Sequence, residues 1–304
     1  MHKCMSSDAL SWELMRSFLA VLVEGSLSGA ARTLGQTQPT LGRHIAELEA
    51  SLGASLFVRS PRGLLPTEAA LELQPHAEAM AAAADALVRT ASGSRDAVRG
   101  AVRVTASEMI GAHVLPPVLT AFRALHPEVV VELVLSNRTE DLLRREADIA
   151  IRMVKPTQGA LVARALGNIA LGLHAHPSYL AGREHPQTLD DLRRHSIIGY
   201  DQETPAIRAL LRQGLKFGRD SFSLRTDSDL AQYAAIGAGY GIGVCQFGLA
   251  RRDGLVPILP EAFGFDLPVW TVMHEDLRGV RRTRLLFDHL AEGLAAYLKT
   301  SGRT

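Results

Sequence analysis

The sequence predicts an α/β fold in two parts. Before residue 95 apolar residues recur almost wholly at helical spacing, and after it β-branched runs alternate with helical periods. From Gly100 to Arg152 the order strand, helix, strand, helix, strand predicts a parallel, doubly wound sheet. The small polar stretch Ala91-Ser92-Gly93-Ser94-Arg95 between the two patterns reads as a linker. The chain has 304 residues, 47% hydrophobic and 21% charged, which suits a globular protein of two or three domains and excludes disorder, collagen-like repeats and a large membrane protein.

The first part reads as three short helices. Trp12 to Glu24 carries the stripe Leu14, Phe18, Leu19, Val21 and Leu22, stopped by Gly25. Ser28 is expected to cap a second helix, Gly29 to Leu34, ended by Gly35. Thr37 is expected to cap a third, Gln38 to Leu52, with Pro39 in its first turn, where a missing N–H costs little. Its inner stripe is Leu41, Ile45, Leu48 and Leu52. Ala30 and Ala31 are small enough for two helices to cross closely, so the pair reads as a helix-turn-helix. The outer face of the third helix carries Gln38, Thr40, Arg43 and His44. Gln and Arg match adenine and guanine edges in the major groove. By themselves these residues could equally be a solvated face. Phe57 to Thr67 reads as a hairpin with Arg59 and Arg62 near its tip, a wing suited to phosphate or the minor groove.

A long helix follows from Glu68 to about Thr90. Leu73, Ala77, Met80, Ala84 and Leu87 are spaced 4, 3, 4 and 3, a heptad pattern that implies a partner helix, with packing on its own domain as the alternative.

The second part is expected to have strands at Gly100–Ala106, Val129–Leu135 and Asp148–Arg152, with helices at His113–Leu125 and Glu140–Glu146. Further strands are expected near Leu171–Ala175, Ser196–Tyr200, Ser221–Arg225, Ile242–Cys245 and Leu267–His274, closed by a helix from Arg281 to Lys299. Two lobes joined by crossing strands leave a cleft, and such sheets bind ligands at the carboxyl ends of strands. That rule selects Ser107, Glu108, Ser136, Asn137 and Arg152 in one lobe, and Tyr200, Asp201, Thr226 and Ser228 in the other. Arg152 could meet a ligand carboxylate or pair internally with Asp148, Glu108 or Glu146. Backbone N–H groups after Ser107 favour an anion, so a small organic anion is one expectation for the ligand.

Several other features exclude chemistry. Cys4 and Cys245 form no CxxC pair, and Cys245 reads as a core residue. The run Gly237 to Gly243 breaks the dinucleotide spacing and follows a helix instead of a strand. His174 and His176 lack a nearby Cys or carboxylate set for a metal. No Walker loop, HExxH or G-x-S-x-G appears, so an enzyme is not expected, and no catalytic residue, metal or cofactor is assigned. No secretory signal is read at the start, the charge-free stretch Leu230 to Ala250 reads as helix, turn and strand, and the cytoplasm is the expected compartment.

Residues 14–67 resemble the N-terminal domain of LysR-type transcriptional regulators. The carriers are Phe18, Gly25-Ser26-Leu27-Ser28, Ala30-Ala31, Leu34, Gln38-Pro39, Ile45, Leu48-Glu49, Leu52-Gly53, Leu56-Phe57, Arg59 and Thr67-Glu68-Ala69. The remainder is similar to the family's effector-binding domain through Val104-Thr105-Ala106-Ser107, Leu115-Pro116, Phe122, His126-Pro127, Asp148 to Arg152 and Gly237 to Gly243. The resemblance implies a winged helix-turn-helix at 10–67, a dimerising linker helix at 68–92 and a periplasmic-binding-protein-like domain at 98–304. In that domain lobe I would be about 98–168 and 272–304, and lobe II about 169–271. It implies a homodimer or homotetramer on double-stranded promoter DNA. A small effector in the cleft would alter DNA bending or RNA polymerase recruitment. DNA contacts would come from Ser28, Thr37, Gln38, Pro39, Thr40, Arg43, His44, Arg59 and Arg62, and the serine at 107 would touch the effector. The chain departs from the family at Gly42, often Ser, and at Ala70, usually Gly. A small-molecule-binding or enzymatic two-lobed protein is the alternative reading.

The net charge of +1 argues against gripping DNA by bulk charge. Between Ser26 and Pro66, however, four arginines stand against two glutamates. A small placed patch, doubled by dimerisation, is therefore expected to supply affinity.

Overall fold

A computed structural model of the chain describes residues 11–61, 63–91, 97–137, 147–156, 161–203 and 218–303. It divides into two compact units near residue 92. Arg62, the expected helix Glu140–Glu146 and most of the expected linker lie outside the described residues.

The first unit starts with α1 (Trp12–Glu24), α2 (Leu27–Leu34) and α3 (Gln38–Leu52). Each ends on a glycine in the left-handed region, Gly25, Gly35 and Gly53, where a side chain would strain the backbone. The cap of α2 is Ser26, whose Oγ accepts from Gly29 N at 3.1 Å. This corrects Ser28: the helix starts two residues earlier than the glycine suggested, and Ser28 lies exposed in its first turn. Thr37 caps α3 as expected, accepting from Thr40 N.

The hairpin pairs β1 (Phe57–Ser60) with β2 (Gly63–Pro66), antiparallel. Glu49 fixes it to α3, accepting from Leu56 N and Phe57 N. Leu64 N donates to Gly25 O at 2.7 Å, so the wing also leans on the end of α1. Then α4 (Glu68–Ala91) runs on. Leu14, Phe18, Val21, Leu41, Ile45, Leu48 and Leu56 form one core, which Ala70 and Ala77 of α4 join. Burial of this apolar set at about 25 cal/mol per Å² holds three helices too short to be stable alone.

In the second unit β3 (Gly100–Ala106), β4 (Val129–Leu135) and β5 (Ile149–Arg152) are parallel, with α5 (Leu115–Leu125) as a crossover. A π-helical turn, Ile110–Val114, precedes α5. This bears out the parallel order expected from Gly100 to Arg152, and beyond that segment the sheet turns antiparallel. The long strand β6 (Leu161–Ala175) and β11 (Phe265–His274) pair antiparallel, and β11 also runs antiparallel to β5. The reason is topological: a parallel partner needs a crossover helix, whereas here the chain passes between lobes on extended strands. The far end of β6 pairs with β9 (Gly243–Gln246) and β10 (Val256–Ile258). Among the described residues the sheet order is β10-β6-β11-β5-β3-β4, with β9 beside β6.

Two further strands, β7 (Ile198–Gly199) and β8 (Leu224–Arg225), are shorter than expected. The short helix α6 (Pro177–Leu180) and the helices α7 (Asp229–Gly237), α8 (Phe247–Arg252) and α9 (Arg281–Thr300) complete the unit. One core packs Val102, Val104, Ile149, Ile151 and Val269 under Leu286, Leu290 and Leu294 of α9. A second core gathers Leu173, Tyr179, Leu192, Ile197 and Ile242. Cys245 is buried in the first core, and burial pushes its thiol up to about 12. That suits an inert packing residue.

Candidate nucleic-acid interface and ligand cleft

The helix α3 has two unlike faces. Leu41, Ile45 and Leu48 are buried, while Gln38, Pro39 and Arg43 are exposed. Thr37 and Thr40 hydroxyls share a 2.8 Å hydrogen bond on the exposed first turn. The open N-terminal turn, with its amides and capping hydroxyls, faces solvent, where a phosphate would be favoured. Arg59 is exposed on β1 of the wing, one pair from its tip.

One expected contact is overturned. His44 is only 8% exposed. Its Nδ1 shares a 2.7 Å hydrogen bond with Ser17 Oγ on α1, itself 1% exposed. Position 44 therefore turns inward: it follows Leu41 by three and precedes Leu48 by four, which places it on the core face.

The long helix α4 is also divided. Ala77 is 1% exposed and Leu73 packs against the head's core, so these two heptad positions serve their own unit. Met80 and Leu87 are exposed, at 42% and 69%.

In the second unit the strand-end rule brings some residues together and leaves others apart. Glu108 N donates to Asn137 Oδ1 at 3.1 Å, and Asn137 Nδ2 donates to Asp229 Oδ2 at 3.0 Å. Ser228 Oγ donates to Glu108 Oε2 at 3.4 Å and accepts from Ala231 N to cap α7. Residues after β3 and β4 thus meet the start of α7 across the two lobes. Ser107 and Ser136 lie beside them in sequence, and Ser136 N donates to Ala106 O. Thr226 Oγ1 accepts from Ser228 N, which shapes the approach to α7. Asp229 was missed because it follows the cap Ser228 inside a helix instead of ending a strand. Its removal from water, and then the neighbouring Glu108, raise its carboxyl above the usual range, while Asn137 opposes this.

Tyr200 and Asp201 stand apart from this group in their bonding. The Tyr200 ring packs edge-on to Phe222 at 4.9 Å, and burial, then Glu203, raise its hydroxyl. The Asp201 carboxylate is taken by Arg219 at 2.7 Å. Arg152 is 4% exposed and donates to Thr105 Oγ1 and to Ile151 O. From this buried position it braces β3 against β5, in keeping with the internal role that stood beside a ligand carboxylate as its alternative.

His174 and His176 diverge as well. His174 is buried, and desolvation lowers its imidazole to about 4. His176 caps α6, accepting from Ser178 N. Among the described residues no group of three or more His, Cys, Asp or Glu side chains could hold a metal, and no helix is long and apolar enough to cross a membrane.

Two family models match the chain. "Bacterial regulatory helix-turn-helix protein, lysR family" covers residues 12–71, and "LysR substrate binding domain" covers 95–295. The "Probable HTH-type transcriptional regulator LtrA" of Klebsiella pneumoniae is 28% identical over 294 residues, 92% of this chain and 93% of its own length. The structure of CrgA, a LysR-type transcriptional regulator from Neisseria meningitidis, aligns with TM-score 0.58 at 27% identity, over 94% of this chain and 99% of that one. CbnR complexed with its target DNA has the same fold, at TM-score 0.61 and 19% identity, over 93% of this chain and 100% of that one. With both of its parts matched, head and ligand domain alike, the chain belongs to the LysR family of DNA-binding transcriptional regulators.

Proposed function

We propose that this regulator binds promoter DNA as a homodimer or a dimer of dimers, reading one half-site with each α3, and that a small effector in the cleft between the lobes tunes that binding. The observation that carries the reading is the division of α3, whose inner face is buried while Gln38, Pro39 and Arg43 stay open. Thr37 and Thr40 line its first turn, Arg59 and Arg62 would supply phosphate contacts from the wing, and Ser28 lies exposed on the adjoining helix. Phosphate contacts set register, and Gln38 and Arg43 would specify bases.

Pairing of α4 through Met80, Ala84 and Leu87 supplies the dimer, and symmetric heads then meet a palindrome. Domain limits at 10–67, 68–92 and 98–304 fit this division of labour. The effector would be held by Ser107, Glu108, Ser136, Asn137, Thr226 and Ser228, with Tyr200 and Asp201 at the margin. Two carboxylates, Glu108 and Asp229, favour an effector that turns hydrogen-bond donors toward them. An anionic group on the same molecule is left with the amides that follow Glu108, whose own N–H is held by Asn137. The protein would act in the cytoplasm, with RNA polymerase as a further partner.

The test is anisotropy of a labelled operator, selected by the wild-type protein from random duplexes, with a panel of small metabolites. At least one metabolite is expected to shift operator affinity in wild type, and Ser107→Ala or Asn137→Ala is expected to weaken that shift. Metabolites that bind the protein yet leave operator affinity and DNA bending unchanged would contradict the coupling.

A further inference from the structure

We propose that Ser17 and His44 form a positioning pair that sets the rotation of α3, and so decides how sharply the protein discriminates its operator. The inference rests on α3 being the helix that enters the groove. Ser17 belongs to α1 and His44 to α3, 27 residues apart, and their 2.7 Å hydrogen bond is buried. Around it the α1–α3 contact is apolar: Leu14, Phe18, Leu41, Ile45 and Leu48. Apolar contacts are non-directional and let a helix roll a little. A short hydrogen bond in a dry core does not, because misalignment leaves two polar groups unsatisfied.

The position of the pair gives it leverage. His44 adjoins Arg43, which is exposed to solvent while His44 is buried. Gly42 precedes Arg43 and lowers the helix propensity of this turn. A roll of about 20° would carry a group some 6 Å from the helix axis through about 2 Å. That exceeds what a bidentate contact to a base edge tolerates. Phosphate contacts by flexible arginines would survive it. The pair should therefore govern selectivity more than total affinity.

Full-length Ser17→Ala, His44→Gln and His44→Asn variants test this by anisotropy on the selected operator and on a scrambled duplex of equal composition. Thermal melting of each variant runs alongside. Asn places an amide atom near the ring Nδ1 position, whereas Gln reaches past it. Ser17→Ala and His44→Gln should each lower the operator-to-scrambled ratio about tenfold, with scrambled affinity within about twofold, since phosphate contacts carry the latter. His44→Asn should keep most of the ratio. An unchanged ratio in Ser17→Ala overturns the proposal. So does a parallel fall of both affinities with the folded fraction, which would assign the pair to stability alone. Gln38→Ala and Arg43→Ala that leave selectivity intact would instead remove α3 as the reading helix.

Discussion

Gly42 sits within α3 although its surroundings do not demand glycine. A Cβ there would meet only Leu27 Cδ1, at 3.7 Å, and no positive φ is involved. Gly42→Ala should raise stability by about 0.5–1 kcal/mol, as glycine's extra unfolded freedom is removed. Chemical unfolding measures the gain, and a loss would show that α3 needs to bend there. Gly63 is the opposite case. Its φ is +120°, and a Cβ would lie 2.5 Å from the Gly25 carbonyl oxygen, a backbone atom that cannot step aside. Gly63→Ala should cost about 2 kcal/mol or more, through strain and lost wing packing. It should weaken DNA binding as the wing shifts, read by melting and anisotropy together.

His174 makes a pH prediction. Its folded pKa of about 4 lies below the ordinary 6.5 because burial disfavours the charged ring. The fold therefore binds the neutral form, and its stabilisation is complete above pH 6.5 and is lost as pH falls toward 4. Between roughly pH 7 and pH 4.5 this residue should withdraw about 2–3 kcal/mol from the effector domain. Urea unfolding of wild type and His174→Gln at both pH values isolates it. An equal pH slope in the variant would assign the effect elsewhere.

At the level of elements, the head was the more legible part. The bounds of α1, α3 and the hairpin follow from caps, glycine stops and helical spacing, all local signals. The cap of α2 was displaced because Ser26 and Ser28 are both good caps, and only the position of Gly29 N decides between them. The effector domain was less legible. The first half of β6 was not foreseen: it contains Gly167 at positive φ, opposite a register shift at Val269/Trp270. A bulge there breaks the two-residue alternation by which a strand is recognised. The direction of β11 could not be read in advance, because sequence order does not show which lobe a long strand crosses to. Around the proposed cleft, strand ends pick out Glu108 and Asn137 and a helix start picks out Ser228, and these residues do meet. For Arg152 two roles were open, since charge type says nothing of whether a strand-end side chain turns inward, as it does here to Thr105.

For α4 the heptad pattern mixes two tasks. Ala77 seals the head while Met80 and Leu87 stay open. Met80→Glu with Leu87→Glu is therefore expected to give folded monomers with weak operator affinity. Ala77→Glu is expected to unfold the head instead, by burying an unpaired charge. Sedimentation and circular dichroism separate these outcomes. Stable dimers in the Met80/Leu87 variant would move the dimer contact off this helix face.

Across the whole molecule, a net charge of +1 is reconciled with DNA binding by placement. Arg43 and Arg59 are exposed on α3 and the wing, and Glu49 is spent on fixing the wing to α3. Few phosphate contacts per head imply modest nonspecific affinity and dependence on two heads acting together. In the proposed complex α3, presented twice, reads sequence. Chemical footprinting of the full-length dimer on its selected operator, with guanine N7 protection as the readout, tests it most directly. Two protected major-groove segments are expected, related by a dyad and separated by whole helical turns, with the protection lost in Arg43→Ala while weak, salt-sensitive binding persists. Protection that is absent, or unchanged in Arg43→Ala and Gln38→Ala, would contradict it.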